Sequence, residues 1–397
     1  MDGIEHLLTR GVDKIYPSRE ALEKMLRNGK KLKLYQGFDP TGPNLHIGHA
    51  VALRKLRQFQ NLGHHVIFLI GDFTGMVGDP SGKYSERKQL TREQVLENAK
   101  TYKEQASKIL RFDGENPVEI KYNSEWLAKM SAIELLQLSH HLTAAQVMER
   151  DMFQKRMAQG QDVFMNEFLY PFMQGYDSVA MNVDLEIGGS DQMFNMLMGR
   201  KLMRNILHKE KFVMTVPLLT DAQGVKIGKT EDNVIGIADP PNDFFGKVMA
   251  LGDDAIIPCF TLLTDIPLEE IENTKNQMKT GKLNPMKVKL DLALELTKQF
   301  NSKNEAYQAK QEFIDVFINK KQPVMHIPKV MASKGFFINI LLTTDLVKSK
   351  SEAKRLMRQG AVEYNGKVMT NEKEIINPKD GDIIRVGKSR FTQLKLV

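Results

Sequence analysis

Two histidines, His46 and His49, lie three residues apart where a strongly helical stretch begins. Residues with this spacing share one face of the first helical turn, where backbone N–H groups and the positive end of the helix dipole attract anions. Gly48 has no side chain, which lets a nucleotide approach the backbone closely. Farther along the chain, Lys226 and Lys229 add two ammonium groups on a short glycine-containing segment. Together the stretches predict a triphosphate site, whose catalytic donors are Thr41, His46, His49, Lys226, Lys229 and Thr230.

Two other kinds of site share parts of these patterns. Gly-Lys-Thr at 228–230 is the end of a P-loop pattern, but only three residues lie between Gly224 and Gly228 where a P-loop has four. No helix-forming run follows either. A metal site at His46 and His49 lacks an evident third ligand nearby. The sequence therefore favours nucleotide binding without a dedicated protein-bound metal.

Bulk composition limits the class of protein. The net charge of +7 and the isoelectric point of about 9.1 fit a polyanionic partner, but they also fit a merely basic soluble enzyme. The single cysteine, Cys259, excludes a disulfide framework and favours a reducing compartment. The N-terminus resembles neither a signal peptide nor a transit peptide, and no apolar run approaches the roughly 20 residues that span a bilayer. We therefore expect a soluble cytoplasmic protein.

The elements that must position these residues are read from hydrophobic periodicity. Short apolar runs alternate with longer helical patterns over residues 31–240, which predicts an α/β fold with a doubly wound, mostly parallel sheet. Ligands in such sheets bind beyond the carboxyl ends of the strands, where the polar clusters of this chain follow. The helix after His46 is predicted to end at Gly63. The predicted strands are 33–38, 66–70, 184–187 and 212–216.

The C-terminal part has different patterns. Residues 241–321 are predicted to be helical and residues 322–335 to be a linker rich in turn-forming residues. Residues 336–397 predict a compact domain with a capped helix that begins after Ser349, and Asn365-Gly366 predicts a hairpin. The basic residues of that helix, which we predict to contact RNA although a solvated charged face is the common alternative, are Lys350, Lys354, Arg355 and Arg358.

These features resemble the class I aminoacyl-tRNA synthetases. The HIGH motif of that class stands at 46–49, and KIGKT at 226–230 is a variant of its KMSKS loop. The resemblance covers nearly the whole chain and is closest to the bacterial tyrosyl-tRNA synthetases, which carry a small C-terminal RNA-binding domain. It implies a Rossmann-like catalytic domain at 1–240, a helical insertion at about 127–160 that helps form a homodimer, and a helical anticodon-region domain at 241–321.

The resemblance also implies a pocket for L-tyrosine. Three residues would bind the substrate ammonium, namely Asp79, Tyr170 and Gln174, and two would hydrogen-bond the phenol, namely Tyr35 and Asp177. Gln192 would steady the reacting carboxylate. On an ordinary helix, the polar stripe at 170, 174 and 177 would simply face solvent. The positions assigned near the substrate carboxylate or in support of the ammonium site are Lys83, Arg87 and Asn123.

On the nucleotide side, the resemblance implies that glycines let adenosine approach the backbone and that Asp191 holds the ribose. The implied ATP-binding residues are Asp39, Gly48, Gly188, Gly189, Asp191 and Lys229. One position departs from the family, because Glu186 stands where glutamine is usual. A carboxylate accepts hydrogen bonds but donates none unless it is protonated. Glu186 is therefore left out of the predicted catalytic set.

The predicted activity is ligation of tyrosine to its tRNA, with ATP as substrate and Mg²⁺ accompanying the phosphates. The substrate carboxylate is itself the nucleophile, so the protein must neutralise the leaving phosphates and hold the attack in line. The alternatives are a tryptophanyl-tRNA synthetase, a small-substrate nucleotidylyltransferase and a non-catalytic RNA-binding relative. A tryptophanyl-tRNA synthetase would have no use for the pair Tyr35 and Asp177, and a nucleotidylyltransferase would have no use for the basic C-terminal domain. A non-catalytic relative would have no need of the retained histidines and lysines.

Overall fold

The computed structural model describes residues 2–81, 90–141, 143–221, 223–227, 234–319, 329–387 and 390–396. The chain divides into two compact units, Met1–Tyr307 and Gln308–Val397, which are described separately. The first unit contains the residues of both predicted phosphate-binding stretches. The second contains the predicted RNA-binding helix.

A six-stranded sheet forms the centre of the first unit, with the strand order β1-β6-β5-β2-β3-β4. All neighbouring pairs are parallel except the edge pair of β1 and β6. The strands are β1 (Lys14–Tyr16), β2 (Lys33–Phe38), β3 (His65–Ile70), β4 (Glu119–Tyr122), β5 (Leu185–Gly189) and β6 (Phe212–Val216). The doubly wound α/β prediction is therefore confirmed.

Helices connect these strands. They are α1 (Gly3–Thr9), α2 (Arg19–Arg27), α3 (Ile47–Asn61), α4 (Thr74–Val77), α5 (Arg92–Ala99), α6 (Tyr102–Ser107), α7 (Ser124–Leu127), α8 (Ala132–Ser139), α9 (Ala144–Met148), α10 (Asp151–Ala158), α11 (Met165–Met181) and α12 (Met193–Leu207). As predicted, α3 ends just before Gly63, which adopts a left-handed φ of 76°. The chain passes from β2 to β3 on one side of β2, whereas β5 pairs with β2 on its other side, so the order in which strands are added to the sheet reverses at β2. A crevice at the carboxyl ends of the strands is expected at such a point.

The predicted helical insertion at 127–160 is broken into the three short helices α8, α9 and α10. The breaks follow from local capping, because Ser131 and Thr143 each accept a hydrogen bond from the third backbone N–H of a new helix. Leu138 packs into a core with α11 and α12, whereas Ile133 and Leu136 are 68% and 70% exposed. The insertion thus presents an apolar face outward.

A helical region follows the sheet in the first unit. It contains α13 (Pro241–Met249), α14 (Ile256–Leu263), α15 (Leu268–Lys279), α16 (Pro285–Phe300) and α17 (Lys303–Phe313). Asn284 caps α16 and Pro285 occupies its first position, as suits a residue without a backbone N–H. The end of α14 is held by Arg10, whose guanidinium donates to four backbone carbonyls.

The second unit folds around its own apolar core. Its strands are β7 (Lys329–Ala332), β8 (Gly335–Phe336), β9 (Val362–Tyr364), β10 (Lys367–Val368), β11 (Ile375–Ile376), β12 (Ile383–Val386) and β13 (Arg390–Leu396), and its helices α18 (Phe337–Thr343) and α19 (Lys350–Arg358). Asn365 and Gly366 both have positive φ, as the predicted hairpin requires. The predicted linker 322–335 differs from the structure in its described part, where β7 pairs with β13.

Candidate functional site

A cavity of about 200 Å³ opens at the carboxyl ends of β2 and β5. Its walls unite residues that are far apart in sequence, including both predicted phosphate-binding stretches. The predicted site residues that line it are Tyr35, Asp39, Thr41, His46, Gly48, His49, Asp79, Asn123, Tyr170, Gln174, Asp177, Gly188, Gly189, Asp191, Gln192 and Lys226. Four other predicted site residues, Lys83, Arg87, Lys229 and Thr230, lie outside the described part of the chain.

The two histidines occupy the N-terminus of α3. His46 is the N-cap, and its Nδ1 accepts from the backbone N–H of Gly48 at 3.1 Å. His49 Nδ1 accepts in turn from the backbone N–H of His46 at 3.2 Å, and the rings stack with centroids 3.9 Å apart. Because Nδ1 accepts in both rings, each neutral ring carries its hydrogen on Nε2. The histidines therefore cap two of the helix's backbone donors themselves, and Nε2–H is the donor that each ring can offer.

Gly48 is required by this arrangement. A methyl group at Gly48 would lie 3.0 Å from two atoms of the His46 ring, which is tighter than ordinary contact. The sequence prediction that Gly48 removes a side chain at the site is compatible with this geometry. The His46 ring is the group closest to the position that a side chain at Gly48 would occupy.

The second stretch forms a narrow turn beside the first. Thr220 pairs with Lys226 across the turn, and Gly224 has a left-handed φ of 80°. Ile235 contacts the segment that carries the two histidines. The backbone N–H of Ile47 donates to the carbonyl of Ile235 at 3.0 Å. Lys226 is thereby directed at Asp191, with Nζ 2.7 Å from Oδ2. We call the group formed by Thr41, His46, His49, Asp191 and Lys226 the outer end of the cavity.

Polar side chains between the elements are connected by hydrogen bonds. Asp39 accepts from the Thr74 hydroxyl at 2.7 Å and from the Tyr170 hydroxyl at 2.8 Å. Asp79 accepts from Gln192 Nε2 at 2.6 Å. The pair of Tyr170 and Asp39 brings a predicted tyrosine-binding residue into direct contact with a predicted ATP-binding residue.

The opposite end of the cavity is buried. Tyr35 and Asp177 are 0% and 3% exposed. Asp177 accepts from the indole N–H of Trp126 at 2.8 Å and from Asn123 Nδ2 at 3.3 Å. Burial raises the pKa of the Asp177 carboxyl, and burial together with the charges of Glu186 and Asp177 raises the pKa of the Tyr35 phenol well above its ordinary value. Tyr35 is therefore a neutral hydroxyl at physiological pH.

Glu186, the position that departs from the family pattern, is also buried here. It forms an ion pair with Lys211, and its Oε1 accepts from Gln174 Nε2 at 3.2 Å. Lys211 Nζ donates to Ser178 Oγ at 2.7 Å as well. Burial lowers the pKa of the Lys211 ammonium, while the adjacent Glu186 opposes that shift. Tyr35, Asp177 and Glu186 line the cavity, and Ser178 and Lys211 lie behind them. We call these five residues together the inner end of the cavity.

Three residues of this region are not among those that the sequence predicts for the site. They are Trp126, whose sequence context indicates only a structural role, Ser178 and Lys211. The sequence does contain a signal for Lys211. Glu186 places a carboxylate within the predicted strand 184–187, and a buried carboxylate requires a cation as partner. Lys211 directly precedes the next predicted strand, 212–216. Ser178 follows Asp177 in the predicted polar helix, but nothing in the sequence distinguishes it from a core serine.

The predicted RNA-binding residues lie in the second unit, on α19. Ser349 caps this helix by accepting from the backbone N–H of Glu352 at 3.2 Å. Lys354 and Arg358 both pair with Glu372, at 2.8 Å and 2.9 Å. The carboxylate of Glu372 holds these two cations on one side of the helix. The basic side chains on α19 are Lys350, Lys354, Arg355 and Arg358.

Within the described ranges, no group of three or more His, Cys, Asp or Glu side chains is arranged to hold a metal ion. Among the same residues, none of the helices is both long and apolar enough to span a membrane.

Comparisons with known proteins agree with this geometry. The sequence profile of the family described as "tRNA synthetases class I (W and Y)" matches residues 27–318, and that of the S4 domain matches residues 338–382. The tyrosine–tRNA ligase of Shewanella oneidensis is 45% identical over 403 residues, covering 100% of this chain and 99% of the relative. The tyrosine–tRNA ligase of Carboxydothermus hydrogenoformans is 43% identical over 401 residues, covering 98% and 96%.

Solved structures share the fold. The tyrosyl-tRNA synthetase of Archaeoglobus fulgidus, solved in complex with L-tyrosine, superimposes with a TM-score of 0.61 at 21% identity, covering 78% of this chain and 100% of that one. The C-terminally truncated mitochondrial tyrosyl-tRNA synthetase of Aspergillus nidulans gives a TM-score of 0.65 at 24% identity, covering 79% and 94%. At these identities the likeness concerns the fold alone.

Proposed function

Since the chain belongs to the class I tRNA synthetases of the W and Y family, we propose that it is a tyrosine–tRNA ligase. It activates tyrosine with ATP, giving tyrosyl-adenylate and pyrophosphate, and then transfers tyrosine to the 3′ end of its tRNA. Mg²⁺ arrives with the ATP phosphates and is held by them and by water, as is usual for this ion. A reducing cytoplasm suits the single thiol, Cys259, which is buried.

The observation that carries the choice of tyrosine is the inner end of the cavity. A phenol that entered there would meet the hydroxyl of Tyr35 and the carboxylate of Asp177, both buried. Phenylalanine would leave these polar groups without partners, which is costly in a buried site. An indole N–H could donate to the carboxylate but could accept nothing from the tyrosine hydroxyl. Tyrosyl-tRNA synthetase is itself the established example of such selectivity against phenylalanine, which reaches a factor of about 10⁵ there.

Three side chains bind the substrate ammonium in this proposal, namely Asp79, Tyr170 and Gln174. Asp79 supplies the negative charge, and the Tyr170 and Gln174 side chains supply acceptor oxygens. Gln192, which donates to Asp79 at 2.6 Å, stands beside the reacting carboxylate. The carboxylate then attacks the α-phosphorus of ATP without any proton transfer from the protein.

Stabilisation of the leaving phosphates falls to the outer end. The Nε2–H groups of His46 and His49 and the ammonium of Lys226 are donors that gain strength as negative charge develops on pyrophosphate. Lys226 is now paired with Asp191, a residue that would hold the ribose. The lysine must therefore exchange a carboxylate for phosphate when ATP enters.

Transfer to tRNA needs a surface that holds the nucleic acid, and α19 in the second unit supplies it. Its lysines and arginines neutralise backbone phosphates, so the affinity for tRNA should fall steeply with salt. Replacing Lys350 and Arg355 by alanine should weaken tRNA binding about uniformly across sequences and leave pyrophosphate exchange intact. Filter binding at two salt concentrations tests this role.

The apolar face of the insertion supports a homodimer. Ile133 and Leu136 lie on α8 and are 68% and 70% exposed, which is unusual for two neighbouring large apolar side chains. Replacing both by glutamate should yield a monomer in size-exclusion chromatography with light scattering. A glutamate replacing Leu268, an exposed leucine on α15, is the matched control and should leave the oligomeric state unchanged. If the double variant kept the molecular mass of the wild-type assembly in solution, this face would not be the dimer interface.

The proposed reaction is tested by amino-acid-dependent ATP–pyrophosphate exchange with tyrosine, phenylalanine and tryptophan, each supplied separately. Exchange with tyrosine alone is the expected result. Exchange with tryptophan would transfer the assignment to the sister activity of the family. Folded protein that exchanges with none of the three but retains tRNA binding would be an RNA-binding relative instead.

A further inference from the structure

The inner end holds a buried ion pair to which adenylation assigns no role. Lys211 and Glu186 are 0% and 2% exposed. Lys211 Nζ donates to Ser178 Oγ at 2.7 Å, and the Ser178 hydroxyl lies 2.9 Å from that of Tyr35. The four side chains form one hydrogen-bonded chain, which runs from a charge pair to the hydroxyl proposed to bind the substrate phenol.

The direction of these hydrogen bonds follows from the groups present. An ammonium only donates, so Ser178 Oγ accepts from Lys211. The serine has one hydrogen of its own, which can go to the Tyr35 oxygen at 2.9 Å or to Glu186 Oε2 at 3.4 Å. The shorter contact has the better geometry, and Glu186 Oε2 already accepts from Lys211. The contact between the two hydroxyls can run in either direction, and the ammonium that already donates to Ser178 Oγ favours the one in which Ser178 donates to Tyr35.

Tyr35 is then an acceptor on its protein side and has its own hydrogen to donate into the cavity. Asp177, which accepts from Trp126 and Asn123, is an acceptor for the substrate. One donor and one acceptor thus face the position of the para substituent. A phenol satisfies both at once, because its oxygen accepts and its hydrogen donates.

We propose that Lys211 is a positioning residue for amino-acid selection, because its ammonium sets the hydrogen-bond direction through Ser178 and makes Tyr35 a donor to the substrate phenol. This inference rests on the proposed tyrosine-ligase function. Without the ammonium, Glu186 is the strongest acceptor beside the two hydroxyls, so both hydrogens turn toward it. Tyr35 then presents a lone pair to the cavity. The site offers two acceptors, which an aromatic amine satisfies better than a phenol does.

The fold is built around this cluster. Tyr35 and Glu186 are direct partners across the β2–β5 pair, and Lys211 immediately precedes β6. Gly199 of α12 leaves the space that the cluster occupies, since a methyl group there would lie 2.6 Å from Lys211 Nζ and 2.8 Å from Ser178 Oγ. Three strands and two helices therefore hold the four side chains in register.

Lys211→Met tests the inference, because methionine keeps an unbranched chain as far as the ε-carbon position and removes the donor. The measurement is kcat/KM in ATP–pyrophosphate exchange for L-tyrosine, L-phenylalanine and 4-amino-L-phenylalanine. We expect the ratio of tyrosine to phenylalanine to fall roughly tenfold, the size of one buried hydrogen bond, and the ratio of 4-aminophenylalanine to tyrosine to rise. A merely structural defect would lower all three values together. Lys209→Met is the matched control, because Lys209 pairs with Asp184 outside the cavity.

Two more variants keep the test decisive. In Lys211→Met/Glu186→Gln, the new amide can donate to Ser178 in place of the ammonium and no charge stays unpaired, so the amine-to-phenol ratio should return toward wild type. Ser178→Ala leaves the ion pair intact and frees Tyr35, so that ratio should rise even if the lysine variants do not fold. Wild-type ratios in Ser178→Ala, and in Lys211→Met where it folds, would overturn the inference. Wild-type protein inactive with tyrosine would instead overturn the proposed function.

Discussion

The two ends of the cavity are built in opposite ways. At the inner end, Tyr35, Asp177 and Lys211 are each at most 3% exposed, and every one of them is held by a partner within the protein. At the outer end, the side chains of Lys226 and Asp191 are 33% and 20% exposed, and they are paired with each other. The side chains of the inner end are already fixed before a substrate binds. At the outer end, Lys226 must give up its contact with Asp191 before it can bind a phosphate.

This contrast fits what each end has to achieve. Selecting one amino acid requires that buried polar groups be left unpaired when the wrong side chain enters, so rigidity at the inner end has a direct use. Binding phosphates that carry a growing charge requires cations that can follow the reaction, so exposure at the outer end is tolerable. A change at the inner end should therefore alter discrimination, and a change at the outer end should alter rate.

The largest effect is expected from Asp177→Asn. The new side chain keeps its oxygen toward Trp126, and its amide group replaces the oxygen that would accept from the phenol. We expect kcat/KM for tyrosine to fall about a hundredfold, because a buried donor left without an acceptor costs about 1–3 kcal/mol, while the value for phenylalanine changes little. Steady-state pyrophosphate exchange with both amino acids measures this.

Asp191→Asn is the control for that experiment, since it makes the same isosteric change at the outer end. It should raise KM for ATP and leave the ratio of tyrosine to phenylalanine at its wild-type value. If Asp191→Asn altered that ratio as strongly as Asp177→Asn, the two ends would not be functionally separate.

The next effect is expected from Lys226→Met. Loss of one donor to the leaving phosphates typically lowers the rate by a factor of about 10², and Lys226 becomes such a donor in the proposed reaction once ATP phosphate replaces Asp191 as its partner. We expect that decrease in kcat for exchange, with no change in the choice between tyrosine and phenylalanine. Lys247→Met, which removes a lysine from an ion pair with Asp239, is the control and should exchange at the wild-type rate. A fully active Lys226→Met would remove this lysine from the catalytic set.

The ends also differ in how far the sequence predicts them. The outer end is predicted well, because His46 and His49 are close in sequence and their position at the start of α3 follows from local periodicity. The four central strands are predicted as well, and the signal is strongest for β3 and β6, which are nearly continuous apolar runs. The edge strands β1 and β4 are not, because each is short and only partly buried, so their residues lack a distinctive pattern.

The inner end depends on contacts that local patterns do not encode. Lys211 and Glu186 meet only because β5 and β6 pair in parallel, and Ser178 reaches them only because α11 packs over that pair. The family resemblance supplies Tyr35 and Asp177 but not the residues behind them. The departure at Glu186 is visible in the sequence, yet its consequence, a buried lysine partner, requires the sheet register.

The smallest effect is expected from Gly199→Ala, and it distinguishes packing at the inner end from ordinary helix propensity. A glycine within a helix normally costs roughly 0.5–1 kcal/mol relative to alanine, so this change should stabilise α12 if nothing else mattered. The added methyl group, however, would crowd Lys211 and Ser178, and overpacking a buried site typically costs about 1–3 kcal/mol. We expect a lower melting temperature, by roughly 2 °C or more.

Gly246→Ala on α13 is the matched comparison, because nothing lies within 4 Å of a methyl group there. It should melt at or above the wild-type temperature. If Gly199→Ala were equally stable, the ion pair would have room to shift, and the ratio of tyrosine to phenylalanine should then stay at its wild-type value. If Gly199→Ala melts lower and also discriminates less between tyrosine and phenylalanine, the packing of the inner end sets its selectivity. The more exposed outer end could not select a substrate in this way.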